Sequence, residues 1–249
     1  MEPVGERVLA MAKKISRAID GKGIRTLVVD IGASGIKVLV LDRVGRPLTL
    51  RDRKKTPSLA TPSAILGVIQ LLARRQGRFD RVAVGFPGVV RHGMIETAQN
   101  LHEKWRGFRL AQKLESKLHK PVRVVNDADL QGFGAISGRG IELVITLGTG
   151  FGSALFFDGQ LVPNLEIALY PLGRRTYQDM LGDAARRKVG NKRWNRRLSR
   201  AIEALYLVFN YDHLYIGGGN SKKIRLDLPP GVRIVPNLVA LHGGIQVWK

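Results

Sequence analysis

The sequence predicts an α/β protein made of two similar lobes with a cleft between them. Short apolar runs rich in β-branched residues alternate with segments of helical periodicity along most of the 249 residues. Two segments also share one order of strand, glycine-rich turn, strand, turn and short strand. They are VVDIGASGIKVLVLDRVGRPL near the start and LVITLGTGFGSALFFDGQLV beyond mid-chain. This repetition indicates an internal duplication of one folding unit.

The repeat divides the chain into three parts. Residues 1–23 form an N-terminal basic helical extension, 24–125 an N-terminal lobe and 126–249 a C-terminal lobe. The extension has apolar residues at helical spacing among basic ones, so we expect an amphipathic helix docked on the body. It carries Glu2 and Glu6 and no long apolar stretch, which argues against a secretory signal.

The N-terminal lobe is predicted to begin as an antiparallel meander and to continue with alternating helices and strands. Its strands are β-branched runs bounded by glycine or proline. Its first helix has apolar residues at helical spacing and an N-cap at Thr61 or Ser63. The predicted strands are 24–30, 36–42, 47–50, 81–86 and 122–125, the predicted helices are 61–76 and 110–118, and 51–55 is a basic loop.

The C-terminal lobe follows the same rules. A hairpin turn at Asp158-Gly159 separates two of its strands, and glycines bound or interrupt its long basic helices. The predicted strands are 141–147, 152–157, 161–162, 212–216 and 232–235, and the predicted helices are 127–137, 174–187, 194–209 and 238–247.

Charge and composition restrict the classes of function. Lysine and arginine total 41 against 20 acidic residues, a formal net charge of +21, which predicts an anionic partner. Nucleic acid, an anionic membrane and a polyanionic substrate all remain open on this ground. The absence of cysteine excludes a disulfide framework, a thiolate metal site and a catalytic thiol. No apolar run reaches the ~20 residues of a membrane span, and we expect a cytoplasmic protein.

Two glycine-rich turns are candidate phosphate sites. DIGASGIK (Asp30 to Lys37) places small residues after a strand, so that backbone N–H groups can face an oxyanion, with the Ser34 hydroxyl as a further donor. Asp30 is a candidate magnesium ligand through water. GTGFG (Gly148 to Gly152) is the second such turn, with Thr149 as its donor. Either turn alone is also compatible with an ordinary hairpin, whereas two in matching positions favour a phosphoryl donor bound between two walls.

The mid-chain stretch Asn126-Asp127-Ala128-Asp129 follows the apolar run VRVV at a strand-to-helix junction. As a general base, Asp127 would accept a hydroxyl proton while a phosphoryl group leaves its donor. The competing interpretation is that Asp127 only caps the helix. The five histidines are scattered without metal-ligand spacing.

The densest positive stretch lies between residues 186 and 200. Four of its arginines fall on one helical face, Arg193, Arg196, Arg197 and Arg200, and we interpret them as a polyanion track that joins the cleft. A solvated helix face and a nucleic-acid site are the alternatives, although no recognisable nucleic-acid module supports the second.

Taken together, these motifs resemble those of the ROK sugar kinases, and among them the polyphosphate-using glucokinases. The resemblance runs from about residue 28 to 245. The motifs that carry it are DIGASGIK, GFPGVV, AQNLHEKW, VVNDAD, TLGTGFGSALFFDGQLVPNLE and IGGGNSKK. It implies an actin-like two-lobed kinase fold, built from duplicated ribonuclease H-like units around a central cleft. It also implies phosphoryl transfer from polyphosphate or ATP to a hexose hydroxyl with Mg²⁺, in a homodimer.

The resemblance also implies roles for individual residues. Asp127 matches the catalytic base. The sugar ligands are Gly88, Asn100, Asn126, Asp127 and Glu166. The phosphate and magnesium region comprises Asp30, Gly32, Ala33, Ser34, Lys37, Gly148, Thr149 and Gly150, and the far wall against the donor comprises Gly218 and Gly219.

The segment after Glu166 departs from the family pattern. The family continues its glutamate as Glu-x-Gly-His, and that histidine helps to hold the sugar, whereas this chain has Ile167-Ala168-Leu169. Losing one hydrogen-bonding ligand from a polar pocket costs ~1–3 kcal/mol. The departure leaves the sugar open, and it motivates an alternative hypothesis of a catalytically weakened ROK-like protein that binds a sugar or polyanion.

Overall fold

The chain folds around two mixed five-stranded sheets, as described by a computed structural model for residues 23–98, 101–236 and 239–249. The first sheet has the strand order β3-β2-β1-β4-β7. Its strands are β1 (Thr26–Gly32), β2 (Gly35–Leu41), β3 (Asp52–Lys54), β4 (Arg81–Phe86) and β7 (Val122–Asn126). Between β4 and β7 lies a small hairpin of β5 (Val90–Arg91) and β6 (Met94–Ile95). The predicted N-terminal helix lies outside the described residues.

The second sheet repeats the topology of the first. Its order is β10-β9-β8-β13-β14, and in both sheets the first three strands are antiparallel and the last two pair in parallel. Its strands are β8 (Ile141–Leu147), β9 (Phe151–Phe157), β10 (Gln160–Val162), β13 (His213–Gly217) and β14 (Val232–Ile234), with a separate ribbon of β11 (Pro171–Leu172) and β12 (Arg175–Thr176). The α/β class predicted from the sequence is confirmed.

The α-helices are α1 (Pro62–Gln76), α2 (Leu110–Leu118), α3 (Asp127–Ala135), α4 (Tyr177–Leu181), α5 (Asp183–Phe209) and α6 (Val239–His242). Short 3₁₀ helices cover Glu103–Trp105, Ile167–Leu169, Gly219–Lys223 and Gly243–Trp248. Helix α1 is capped by the Thr61 hydroxyl, as predicted. The left-handed backbone of Gly190 (φ 76°) kinks α5 where the sequence suggested an interruption. No helix of the described segments is long and apolar enough to cross a membrane.

The edge strand of the first sheet differs from the prediction. The segment 47–50 is not a strand and makes only an isolated bridge, between Leu41 and Pro47. The strand lies instead within the predicted basic loop, at Asp52–Lys54. Its pattern is charged because β3 is an edge strand, where alternate side chains reach solvent and only one neighbour is paired.

Helix α3 is packed between the two sheets. Leu130 belongs to an apolar cluster with Val28 and Ala83 of the first sheet. Ala128 packs with Val144 and Phe156 of the second. The N-terminus of α3, where Asp127 lies, is therefore held by both lobes.

The C-terminal segment returns to the first sheet. Leu241, Ile245 and Val247 are buried in the cluster that contains Val28. The Trp248 ring lies against the guanidinium groups of Arg81 and Arg123, at 4.9 and 4.7 Å from the ring centroid. The last residues of the predicted C-terminal lobe thus stabilise the other sheet.

Candidate active site

A cleft of about 610 Å³ lies between the two sheets, and both glycine turns line it. Most of the residues that the sequence singled out are in its wall. These are Asp30, Gly32, Ala33, Ser34, Lys37, Gly88, Asn126, Asp127, Gly148, Thr149, Gly150, Glu166, Gly218 and Gly219. Asn100 lies outside the described residues.

Asn126, and not Asp127, is the N-cap of α3. Its backbone is extended (φ −60°, ψ 151°), and its side-chain oxygen accepts hydrogen bonds from the backbone N–H groups of Ala128 (2.7 Å) and Asp129 (3.4 Å). Asp127 is the first helical residue and lines the cleft. The capping interpretation of Asp127 is therefore wrong: the neighbouring amide satisfies the helix end and leaves the carboxylate available for chemistry.

The Asn126 side chain also joins three parts of the cleft wall. Its Nδ2 group donates to the Gly88 carbonyl (3.1 Å) and to Glu166 Oε1 (3.3 Å). The loop after β4 approaches closely because Gly88 has no side chain; a Cβ there would lie 2.0 Å from the Thr97 carbonyl oxygen. The carboxamide therefore holds Glu166 and the Gly88 loop at the same end of the cleft as Asp127.

Glu166 is positioned by the strand beneath it. The Ser153 hydroxyl donates to the Leu165 carbonyl (2.6 Å) and accepts from the Ile167 N–H (3.3 Å), so one side chain of β9 fixes the backbone on both sides of Glu166. Burial raises the pKa of Glu166. Beyond it, Ala168 lines the cleft, whereas Leu169 is 55% exposed. The departure from Glu-x-Gly-His thus places a methyl group in the wall and an apolar side chain in solvent.

Burial raises the pKa values of the two carboxyl groups on α3. It raises the pKa of Asp127 to about 8, with further contributions from the charges of Asp30, Glu166 and Asp129 that outweigh a hydrogen bond from the Ala128 N–H. Burial also raises the pKa of Asp129 to about 7. A carboxyl group with a pKa near the working pH is suited to accept a proton and release it again.

The first turn carries an ion pair at its base. Lys37 Nζ lies 2.6 Å from Asp30 Oδ2, and the Asp30 carboxylate is 14% exposed. The turn itself is held from outside: Thr56 donates to the Gly32 carbonyl (2.6 Å) and Arg53 to the Ser34 carbonyl (3.1 Å). Gly35 makes room for Arg53, since a Cβ there would lie 2.5 Å from its Nε atom.

The second turn is held from behind by the start of α5 and by α4. The Gly148 carbonyl accepts from the Asp183 N–H and from Asn220 Nδ2, both at 3.1 Å. Gln178 Oε1 accepts from the Phe151 N–H at 2.7 Å. Gly218 completes this wall with a left-handed backbone (φ 87°), and a Cβ there would lie 2.3 Å from the Leu147 carbonyl oxygen.

The arginines that line the cleft differ from those expected. Arg53, Arg186 and Arg187 are in the wall, and Arg186 and Arg187 both pair with Asp183, at 2.8 and 2.7 Å. Although burial acts against it, these two arginines lower the pKa of Asp183. The predicted polyanion track (Arg193, Arg196, Arg197 and Arg200) follows the kink at Gly190 and is not among the cleft-lining residues, so its role stays a prediction.

The sequence analysis assigned no role in the cleft to several residues that line it. They are Arg53, Thr97, Gln131, Thr146, Gln178, Asp183, Arg186, Arg187 and Asn220. Thr146 and Asn220 lie within motifs of the family resemblance, and Arg186 and Arg187 lie in the basic stretch. Gln131 follows Asp127 by four positions on the same helix and therefore shares its face. For Arg53 the only sign was its place in a basic segment, which we interpreted as a loop.

Comparisons with known proteins agree with this architecture. A model of the ROK family matches residues 26–163. A polyphosphate glucokinase of Mycobacterium tuberculosis (strain CDC 1551 / Oshkosh) is 30% identical over 205 residues, which cover 78% of this chain and 77% of the relative. The chain belongs to the ROK family. A glucokinase of Streptomyces coelicolor is 32% identical over 146 residues, 55% of this chain and 44% of that protein.

Solved structures of ROK proteins share the fold of this chain. The crystal structure of an inorganic polyphosphate/ATP-glucomannokinase from Arthrobacter sp. strain KM superposes with a TM-score of 0.82 at 30% identity, covering 92% of this chain and 99% of that one. A ROK glucokinase from Streptomyces griseus in complex with glucose and AMPPNP gives 0.76 at 18% identity, covering 90% and 98%. The two-lobed, actin-like fold expected from the motifs is therefore confirmed.

Proposed function

We propose that this ROK-family chain is a sugar kinase that transfers a phosphoryl group from polyphosphate or ATP to a hydroxyl of glucose or a related hexose. The observation that carries the proposal is the position of Asp127, a half-buried carboxyl group at the N-terminus of α3, in a cleft lined by both glycine turns. The relatives of this chain include polyphosphate glucokinases.

In the proposed step, Asp127 accepts the proton of the attacking hexose hydroxyl. The hydroxyl oxygen forms a bond to the terminal phosphorus of the donor, and the bond from that phosphorus to the bridging oxygen breaks. The products are a hexose phosphate and either a polyphosphate shortened by one unit or ADP. In such reactions, positioning and charge neutralisation contribute more than the strength of the base.

The sugar end of the cleft is assigned to the residues around Asn126. Its amide group bonds to both Gly88 and Glu166, so these groups form one polar wall beside Asp127. Carboxylate and carbonyl oxygens are suited to accept hydrogen bonds from sugar hydroxyls. Asn100 is proposed for the same pocket on the basis of its motif alone.

The donor end is assigned to the two glycine turns and the far wall at Gly218 and Gly219. Backbone N–H groups of Gly32, Ala33, Ser34, Gly148, Thr149 and Gly150 are proposed as phosphate ligands. The positive charges in the wall are those of Lys37, Arg53, Arg186 and Arg187. Together with a net charge of +21, they favour a linear polyanion as the donor. ATP is the alternative phosphoryl donor in the same proposal.

Kinases of this kind use a divalent metal, and the cleft residues fit a magnesium ion. No group of three or more histidine, cysteine, aspartate or glutamate side chains is arranged as a metal site in the described parts of the chain. Magnesium in phosphoryl-transfer sites needs only one or two carboxylates besides substrate phosphates and water. Asp30 would supply that carboxylate, through water, while its Oδ2 atom accepts a hydrogen bond from Lys37. A bound magnesium ion neutralises donor phosphate charge.

The test is an activity matrix of donors against hexoses. Purified protein is incubated with Mg²⁺, polyphosphate or ATP, and glucose, mannose or N-acetylated hexosamines, with Asp127→Asn as the control. We expect at least one pair to turn over in the wild type and not in the control. No turnover with any pair at high protein concentration, or equal activity of both proteins, would contradict the proposal and favour a binding protein.

A homodimer and a cytoplasmic location also belong to the proposal. Both follow from the resemblance to the family and from the sequence analysis above. Light scattering of the purified protein tests the first, and fractionation of the cells that make it tests the second.

A further inference from the structure

Among the described residues, one buried polar atom of a cleft-lining side chain has no hydrogen-bond partner. The amide nitrogen of Gln131 is buried, and it makes no hydrogen bond to any of the described residues. Buried polar atoms in native proteins are almost always hydrogen-bonded, so an orphaned donor requires an explanation. Gln131 also lines the cleft, so a rotation of its terminal amide would turn this nitrogen toward a ligand bound there.

The surroundings of Gln131 place this amide on the donor side of the cleft. Gln131 lies one helical turn beyond Asp127 on α3, on the same face, with their Cβ atoms about 5–6 Å apart. Its carboxamide lies against Gly217, where a Cβ would be 1.8 Å from Nε2. Gly217 immediately precedes Gly218 and Gly219 of the far wall. The missing side chain at Gly217 is thus what admits the carboxamide into this wall.

The order in which the two substrates lie along the cleft predicts what the Gln131 side chain contacts. The hexose lies at the Gly88 and Glu166 end, and the transferred phosphoryl group follows next to Asp127. The rest of the donor then extends toward Gly218 and Gly219, and the path passes Gln131. A carboxamide N–H group is an uncharged hydrogen-bond donor, and a phosphate oxygen can accept its hydrogen bond.

We propose that Gln131 is a donor-binding residue, whose amide donates a hydrogen bond to a phosphate oxygen beyond the transferred phosphoryl group. The inference rests on the proposed function and extends it, because it assigns a contact to the phosphoanhydride chain that polyphosphate and ATP share. It also separates this contact from Asp127, which acts on the acceptor.

The experiment measures binding and turnover separately. Isothermal titration calorimetry gives the affinity of inorganic tripolyphosphate with Mg²⁺ for the wild type, Gln131→Met and Gln131→Glu. Methionine keeps the length of the side chain without its donor, and glutamate adds a charge that repels phosphate. The control is Gln160→Met, an exposed glutamine on β10. Steady-state kinetics then give KM for polyphosphate, ATP and hexose.

We expect tripolyphosphate to bind roughly tenfold or more weakly to Gln131→Met, and more weakly again to Gln131→Glu, because the lost bond joins a donor to a charged group. KM for the donors used should rise while KM for hexose stays within about twofold. Unchanged tripolyphosphate affinity would overturn the inference. So would a rise in KM for ATP alone, which would mean a contact to the nucleoside, or a rise in KM for hexose.

Gly217→Ala provides an independent second variant. The added methyl group would meet the far end of the flexible Gln131 side chain and displace it, while its next contact, Val235 Cγ2 at 3.4 Å, is ordinary. We expect Gly217→Ala to reproduce the loss of tripolyphosphate affinity, and Gly217→Ala with Gln131→Ala to be no weaker than Gln131→Ala alone. Additive losses would overturn the inference.

The proposed kinase function and the proposed role of Gln131 are contradicted by different results. A wild type that phosphorylates a hexose, with unaltered tripolyphosphate affinity in Gln131→Met, overturns only the role of Gln131. A wild type that binds tripolyphosphate through Gln131 but phosphorylates no hexose overturns the proposed function and leaves the contact standing. A wild type that does neither overturns both.

Discussion

The two glycine turns occupy matching places in duplicated sheets, but only one of them carries charge. The first turn has two residues, Ala33 and Ser34, between the paired Gly32 and Gly35, and two pairs further back Asp30 faces Lys37. The second turn has three residues between Leu147 and Phe151, and the corresponding pair is Ile145 with Ser153. The same folding unit thus supplies an ionic pair beside the first turn and uncharged residues at the matching place beside the second.

The turns are also supported differently. Arg53 occupies the space beside Gly35, so the first turn admits no larger residue there without displacing a cation. The second turn is fixed through the Gly148 carbonyl, while a Cβ on Gly148 would meet nothing within 4 Å. The two walls therefore share a topology but differ in where their charges lie. On the first wall the charges belong to the strands beside the turn, whereas on the second they belong to α5 behind it.

The largest effect is expected at α3, which belongs to neither turn. Asp127→Asn should lower kcat by roughly 10²- to 10⁴-fold, because general-base catalysis contributes about that much. The matched control is Asp129→Asn, which alters a buried carboxyl group on the same helix whose pKa is also raised. We expect it to keep kcat within about tenfold. Equal losses in both variants, measured with the best donor and hexose, would contradict the assignment of Asp127.

The neutral turn can be tested by filling its open side. In Gly148→Ala a methyl group would occupy the space where phosphate approaches the backbone, so we expect KM for the donor to rise about tenfold with little change in thermal stability. The control is Gly67→Ala, an exposed position within α1, which should raise the free energy of unfolding by ~0.5–1 kcal/mol and leave the kinetics unchanged. An unaltered donor KM in Gly148→Ala would remove the second turn from the donor site.

The charged wall can be tested at Arg53. No carboxylate lies within ion-pair distance of its guanidinium group in the described ranges, so its removal leaves no orphaned acid. We expect Arg53→Met to weaken polyphosphate binding about three- to tenfold and to reduce the dependence of affinity on salt. Arg196→Met, on the exposed face of α5 outside the cleft, is the matched loss of charge. A larger effect in Arg196→Met would restore the predicted polyanion track.

The pH dependence links the charged wall to α3. The pKa of Asp127 is raised to about 8, so kcat/KM for the hexose should increase as pH rises through about 8 and the carboxylate forms. The charge of Asp30 contributes to that shift, and Asp30→Asn should therefore move the rising limb to lower pH as well as reduce its height. A limb that stays in place would mean that the ionisation belongs to another group.

The same raised pKa sets the sign of a stability effect. Between the unfolded pKa of Asp, about 3.9, and the folded value near 8, the folded state retains a proton that the unfolded state has released. Stability from this group therefore falls as pH rises through that window. Asp127→Asn should melt higher than the wild type at pH 9 and gain less at pH 5, in thermal unfolding followed by circular dichroism. A gain that is equal at both values would contradict the shift.

The sequence predicted the positions of most strands along the chain and most of the candidate residues that line the cleft. Apolar runs separated by glycine locate β1, β2, β8 and β9 to within about two residues, because their core positions are β-branched and their turns need small residues. The edge strand β3 was not predicted, because exposed edge strands carry charged residues and the sequence analysis interpreted this charged segment as a loop.

The polar contacts of the site could not be predicted in this way. That Asn126, and not Asp127, caps α3 depends on backbone angles that neither residue type dictates. The presence of Arg53 in the cleft depends on a sheet pairing across 16 residues of chain, between Lys37 and Arg53. The place of Gln131 depends on the absent side chain of Gly217, which belongs to a strand far away in sequence. Such contacts join distant segments, and no local pattern encodes them.

The most direct measurement is a crystal structure with glucose, Mg²⁺ and a non-hydrolysable phosphate donor bound. The account predicts a sugar hydroxyl within about 3.2 Å of the Asp127 carboxylate, and donor phosphate oxygens that accept hydrogen bonds from the backbone of both turns. A sugar hydroxyl bonded to Asp30 or Glu166 instead of Asp127, or a donor that touches only one turn, would contradict it.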